Sequence, residues 1–366
     1  MSNRNLTVDI AKGLGIIFVV FGHNWIVKDQ PGELFRIIFS FHIPLFFFMS
    51  GLFLKDSDSL KKNIIRRADT LLKPYWVVLS VIGLLKVFSP FPTSIVKISL
   101  VQYFLGMLYA TGPTIEGVAL WFLPHLFLSS IVAMICIRIT ARFPDWNSWI
   151  CLILSLFIMI GISFIRLFWQ IDTHSLGYLD QMFSTTHQLP GLPLSLDLVL
   201  LSSGFILLGF VFRKKVESMT FNFPIFSIAL LLFSMCHIMF DETIDLNMRI
   251  YSHPFISSLQ AILGIYIILA ASAGLQNYKI IQRPLVYVGS GSLFILIFHT
   301  FIQEKVFLML FQLSHRAYLS AVVSFGMAIL GPLGILKLVQ NQSLLAALLL
   351  PYKSRLQPVK SSPKLD

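Results

Sequence analysis

The chain has 366 residues, of which 56% are hydrophobic and only 12% charged, about half the charged fraction of a soluble domain. That balance places it among integral membrane proteins and excludes a soluble enzyme built around one core. The net charge of +11 is spread over short loops beside anionic headgroups, so membrane lipids rather than nucleic acid are the expected partner.

Apolar runs of about 17 to 25 residues predict ten spans, at 9–27, 34–54, 70–88, 118–138, 149–169, 194–212, 222–240, 254–274, 285–310 and 317–339. The expected fold is an all-α integral membrane bundle of about ten transmembrane helices, filling 1–340 and followed by a mobile, basic cytoplasmic tail, 341–366. Basic residues accumulate on the cytoplasmic side of short loops. Twenty of the 28 Lys and Arg fall at the N-terminus, in 55–74, at 138–142, 213–215 and 279–283, and in the C-terminal region; eight fall on the opposite side. Both termini are therefore expected in the cytoplasm. An eleventh span at 96–112 would largely abolish that bias, so this segment reads as interfacial or re-entrant. Cys136, Cys151 and Cys236 lie in or beside apolar spans, with no disulfide or zinc spacing.

The first span carries Asp9, Lys12 and His23, and ionisable groups at that depth are functional candidates by default. Eleven helical steps of about 100° bring His23 within about 20° of the face bearing Lys12, and Asp9 lies within about 40° of the same direction. At about 1.5 Å per residue His23 stands roughly 16 Å along the helix from Lys12, which puts the lysine at the inner surface and the histidine near the outer one. His42 opens the return helix at nearly the depth of His23, followed by Pro44. Near the same level lie Glu116, Trp121 and His125 at the fourth span, Asp197 at the sixth and His299 in the ninth. A neutral buried histidine is a competent base near pH 7, and a carboxylate on its second nitrogen fixes the tautomer. Glu116 and Asp197 are candidates for that carboxylate, or cap helix starts. His125 and His299 read equally as packing histidines. On the inner side Lys61, Lys62, Arg66 and Arg67 form a basic cluster suited to phosphate. His174 and His187, thirteen residues apart, carry no metal-ligand signature, and no metal is expected.

These residues resemble the acyltransferase 3 superfamily of membrane acyltransferases, especially its fucose 4-O-acetylase-like branch. The family's first-helix motif is an arginine, ten residues, then a histidine; Lys12 and His23 look like the corresponding positions, with Asp9 and Gly13 also matching. Further similarity lies in Phe41-His42-Ile43-Pro44-Leu45, in Arg66-Arg67 before Leu71-Leu72-Lys73-Pro74-Tyr75, and in Leu120-Trp121-Phe122-Leu123-Pro124. Looser matches are Leu192-Pro193-Leu194-Ser195-Leu196-Asp197 and Val288-Gly289-Ser290-Gly291-Ser292 leading to His299. Lysine in the arginine position keeps the charge and loses the planar fork that binds phosphate bidentately.

The resemblance implies a multi-pass enzyme of the bacterial cytoplasmic (inner) membrane that uses acetyl-CoA to acetylate a sugar hydroxyl of a surface polysaccharide or lipid-linked oligosaccharide. Lys12, Asp9, Arg66, Arg67 and Lys73 would hold the nucleotide end of CoA, while its pantetheine arm threads toward His23. His23 would act as general base, or as nucleophile through an acetyl-imidazole, with direct attack favoured. His42 would bind the hydroxyl or the oxyanion, with Asp197 and Glu116 as carboxylate partners, and Trp121, His125 and His299 would face the sugar. A homodimer is compatible with this reading. Intramembrane His, Lys and Asp also build the pathways of secondary transporters, although no internal repeat of the halves is visible. A structural partner of a glycan-export complex is the third reading, and it would make His23 dispensable.

Overall fold

The computed structural model describes residues 5–29, 32–54, 59–88, 100–143, 146–165, 167–174 and 187–352. Its helices are α1 (Leu6–Gly22), α2 (Trp25–Lys28), α3 (Glu33–Leu52), α4 (Leu60–Arg67), α5 (Lys73–Phe88), α6 (Leu100–Tyr109), α7 (Phe122–Thr140) and α8 (Trp146–Ile165). The second half adds α9 (Val199–Glu217), α10 (Phe223–Met239), α11 (Pro254–Leu275), α12 (Lys279–Ser290), α13 (Ser292–Ser314), α14 (Ala317–Asn341) and α15 (Ser343–Leu349). Two small antiparallel hairpins complete it: β1 (Trp169–Asp172) with β2 (Gln188–Pro190), and β3 (Ile244–Asp245) with β4 (Ile250–Tyr251). The protein is an all-α membrane protein. A helix stands on each of the ten expected spans, and among the described residues eight helical segments are long and apolar enough to cross a membrane.

The departures from the expected spans have local causes. α1 stops at Gly22 instead of running to 27, because the Asn24 side chain accepts from the Ile26 amide at 3.1 Å and starts a separate turn. The ninth span starts at Ser292, since Gly291 separates it from α12. Of the segment read as interfacial or re-entrant, the described part is α6, whose ten residues span about 15 Å, half the hydrocarbon thickness. Residues 96–99 lie outside the described part. The segment expected as a mobile tail from 341 opens with α15, which packs against α5. It is tied down there: Lys73 donates to the Leu350 carbonyl at 2.6 Å, and the Tyr352 amide donates to Asp69 at 2.7 Å. Residues 353–366 lie outside the description.

Small residues bring the central helices together, as expected where lipid supplies no hydrophobic drive for helix association. A Cβ on Gly51 of α3 would sit 2.0 Å from the Ile206 carbonyl of α9, and one on Gly209 of α9 would sit 2.0 Å from the Phe48 carbonyl of α3. α1 and α12 meet the same way through Gly13 and Gly289. Phe47 and Met49 of α3 and Phe205 and Phe210 of α9 are fully buried, as is Leu45, which faces Gly15 of α1. α3 therefore stands at the centre, with α1, α9 and α11 around it, and α1 presents its polar stripe to it.

Candidate active site

His23 is the C-cap residue of α1. Its Nδ1 lies 2.9 Å from the Val19 carbonyl, and because a carbonyl only accepts, that nitrogen carries the proton. In the neutral ring the lone pair is then on Nε2. His42 and His299 repeat the device, with Nδ1 at 2.8 Å from the carbonyls of Ile38 and Ile295 respectively. Each ring is anchored one helical turn back on its own helix, and each keeps Nε2 for something else. The rings of His23 and His299 meet edge to face at 5.2 Å, and Phe39 bridges His23 to His42 with centroid distances of 6.4 and 4.6 Å. The three histidines therefore converge. Among the described residues no group of three or more His, Cys, Asp or Glu side chains is arranged to hold a metal ion.

His23 and His42 open onto a cavity of about 320 Å³ walled by Val19, Phe35, Phe39, Ile43, Phe46 and Leu296, with Trp121 beside them and Asp245, Asn247 and Met248 closing it. The last three come from the β3–β4 hairpin. Burial pushes the Asp245 carboxyl above its ordinary value, against the amides of Met248 and Asn247 and the charge of Arg249. A second cavity of about 420 Å³ shares His23, Lys28 and Val118 with the first and is walled by Trp25, Glu116, Thr300, Gln303 and Glu304.

The expected site residues divide into those the fold brings together and those it sends elsewhere. His23, His42, Trp121 and, through its ring contact with His23, His299 are brought together. Glu116 faces the second cavity. Asp197 does not reach a histidine: its carboxylate takes Arg249 Nε at 2.9 Å and the Leu192 amide at 3.0 Å, and the side chains of the pair are 0% exposed. His125 lines neither cavity. Its Nε2 accepts from Ser202 at 2.8 Å and its Nδ1 faces the Leu194 carbonyl at 3.3 Å, so its hydrogen bonds join α7 to α9 and to the turn before it. That is the packing alternative left open by its sequence position.

At the other end of α1, Lys12 lies 3.9 Å from Asp9 and 4.2 Å above the Phe53 ring. Arg67 donates to Ser50 at 3.1 Å and to Ser130 at 2.7 Å, with its Nε buried and unpaired among the described residues. Both cations thus reach the C-terminal turn of α3, where Arg213 also donates to the Leu54 carbonyl. Arg66 is exposed and bonds Asn63. Lys73 is diverted, since its ammonium binds Asp69 and the chain at Leu350. None of Lys12, Arg66, Arg67 and Lys73 lines either cavity. The polar stripe of α1 survives as read from spacing, with Lys12 on Phe53 and His23 against Phe39, both residues of the α3 segment.

A family model described as an acyltransferase domain, that of acyltransferase 3, matches residues 5–337, nearly the whole chain. The chain belongs to the acyltransferase 3 family. No curated protein and no solved structure matches it. The family assignment makes this multi-pass protein a membrane acyltransferase, which favours acyl transfer over transport.

At and around the two cavities and the helix ends of this acyltransferase stand residues that sequence reasoning passed over. Asp245, Asn247 and Arg249 lie in Asp241-Glu242-Thr243-Ile244-Asp245-Leu246-Asn247-Met248-Arg249, a polar run in a short connection between two spans. Its density of carboxylates was the available signal. Arg213 sat in a loop counted only for its charge. Lys28, exposed on both cavities, followed the motif histidine by five residues and belongs to no motif.

Proposed function

We propose that the acyltransferase moves an acetyl group from cytoplasmic acetyl-CoA to a sugar hydroxyl of a surface polysaccharide or lipid-linked oligosaccharide on the outer side of the bacterial inner membrane, with His23 as general base. The observation that carries this reading is the tautomer of His23: Nδ1–H on the Val19 carbonyl leaves a basic Nε2 at the junction of two cavities. About 16 Å of helix separates it from Lys12, a distance suited to a donor whose anionic nucleotide stays with Lys12 and Arg67 while its thioester reaches the histidines.

In the reaction, His23 Nε2 removes the proton of the acceptor hydroxyl as its oxygen bonds to the thioester carbonyl carbon. The tetrahedral adduct collapses with rupture of the C–S bond, and the thiolate of CoA takes the proton back from His23. His42 suits a different part of this step than the sequence suggested. Its one N–H is committed to Ile38, so in the neutral form its Nε2 only accepts and it cannot donate to an oxyanion. Lys28 supplies positive charge for the oxyanion.

Purified enzyme in lipid nanodiscs tests the assignment. His23→Ala should bind acetyl-CoA and lose on the order of 10²–10⁴ in transfer rate; undiminished transfer would remove His23 from the chemistry. Lys12→Ala should weaken acetyl-CoA binding, and unchanged affinity would remove the phosphate role.

A further inference from the structure

Two cavities meeting at one base are a division of labour when their walls differ in kind. The first is apolar, with Val19, Phe39, Ile43, Phe46 and Leu296 around the imidazoles. The second is more polar, and its wall mixes signs: Lys28 and Lys305 against Asp29, Glu116 and Glu304. Trp25 stands in that wall as a fixed plate, stacked on Phe307 at 5.7 Å and met edge-on by Tyr318 at 5.6 Å. Thr300 lines the same cavity with a buried hydroxyl that has no hydrogen-bond partner among the described residues. A buried hydroxyl left unpaired costs about 1–3 kcal/mol, so its presence on a cavity wall marks a place where a ligand atom completes it.

We propose that the polar chamber walled by Trp25, Glu116, Thr300 and Glu304 is the acceptor subsite and takes one neutral, polyhydroxylated sugar unit, while the apolar chamber takes the acyl thioester. The assignment rests on the acyl-transfer reading above and adds where each substrate lies and what charge the acceptor carries. A sugar ring offers an apolar face to an indole and a ring of hydroxyls that donate to carboxylates and accept from ammonium groups and Thr300. Three carboxylates against two ammonium groups disfavour an anionic sugar, since a like charge at a partly closed wall is repelled. The volume of about 420 Å³ lies within the roughly 300–1,000 Å³ of small-ligand sites. His23, common to both chambers, then stands between the hydroxyl it deprotonates and the carbonyl that receives it.

The test uses the full chain in nanodiscs prepared without glycoside detergent, titrated with methyl glycosides of glucose, galactose and mannose and with methyl glucuronide. Tryptophan fluorescence reports binding, and CoA release from acetyl-CoA reports transfer. At least one neutral glycoside should quench fluorescence saturably and more tightly than the glucuronide. Trp25→Phe should remove most of that quench, and Glu304→Gln should raise its midpoint about tenfold, as expected for loss of a hydrogen bond to a charged group. A quench indifferent to both substitutions, glucuronide binding as tight as neutral binding, or no quench by any neutral glycoside would overturn the proposal. The two readings fail separately: CoA release dependent on His23 without glycoside binding overturns the chamber and leaves the enzyme, whereas the expected quench without CoA release overturns acetyl transfer and leaves the sugar site.

Discussion

Asp197→Ala removes the carboxylate that, among the described residues, forms an ion pair with Arg249, a guanidinium whose side chain is 0% exposed. Arg249 Nε and Nη2 hold Asp197 at 2.9 and 3.2 Å, Nη2 also reaches Ser195 at 3.2 Å, and Nη1 holds the Asn247 carbonyl at 3.0 Å. At an effective dielectric of about 20 the ion pair alone is worth roughly 6 kcal/mol before desolvation. Stripping one partner from a buried pair costs about 3–5 kcal/mol, because the other charge stays buried without compensation. Equilibrium unfolding in mixed micelles by sodium dodecyl sulfate should therefore show Asp197→Ala less stable by about that amount. Asp197→Leu combined with Arg249→Met should recover most of the loss, since an apolar pair of similar volume carries no desolvation cost. Amide exchange in 244–251 should accelerate in the single variant, because Arg249 anchors the hairpin that closes the His23 cavity. A loss below about 1 kcal/mol for Asp197→Ala, the value typical of an exposed pair, would mean that the Arg249 charge is not left uncompensated in the core.

Asp245 supplies a pH dependence. Its carboxyl is raised by burial from an ordinary value near 3.8, so the folded state favours the protonated form. The sign follows: the unfolded chain releases the proton first, and stability falls as pH rises from the ordinary value through the raised one. Thermal unfolding from about pH 4 to about pH 8 should show a loss in the parent protein that Asp245→Asn lacks, leaving the variant relatively more stable at neutral pH; parallel curves would contradict the burial. At the α3–α9 contact, Gly51→Ala places a methyl 2.0 Å from the Ile206 carbonyl, a backbone atom that cannot swing away. Overpacking of this kind costs about 1–3 kcal/mol, measurable by the same micelle unfolding, and an unchanged midpoint would mean the helices separate freely.

The helices were legible because their signal is local. A run such as 317–339 is apolar but for Ser320, Ser324 and Lys337 near its end, and α14 covers it. The alignment of Lys12 with His23 was legible for the same reason, since it depends only on the pitch of one helix. Ends were less legible. That α1 stops at Gly22 depends on Asn24, whose side chain caps the next turn and also donates to the Ala321 carbonyl of α14 at 2.9 Å. Asp197 and Asp245 show the limit most plainly. Both are acids beside outer ends of spans, and the sequence offered no ground for preferring the second to the first as the cavity carboxylate. The fold pairs Asp197 with an arginine fifty-two residues away, and that same arginine sets the hairpin that carries Asp245 to the histidines.

The sequence by itself determined that the chain crosses a membrane many times, which family it resembles, and that one helix carries a cation and an imidazole on a common stripe. These follow from hydrophobicity and helical pitch, properties of neighbours in the chain. Only the packing of the helices decided that His42 and His299 join His23, that Asp197 is spent on Arg249, that Lys73 ties down the chain at Leu350, and that two chambers of unequal polarity share one histidine. Each of those depends on which helix faces which, and the small residues at Gly13, Gly51, Gly209 and Gly289 that let backbones touch set that geometry across separations no local pattern spans.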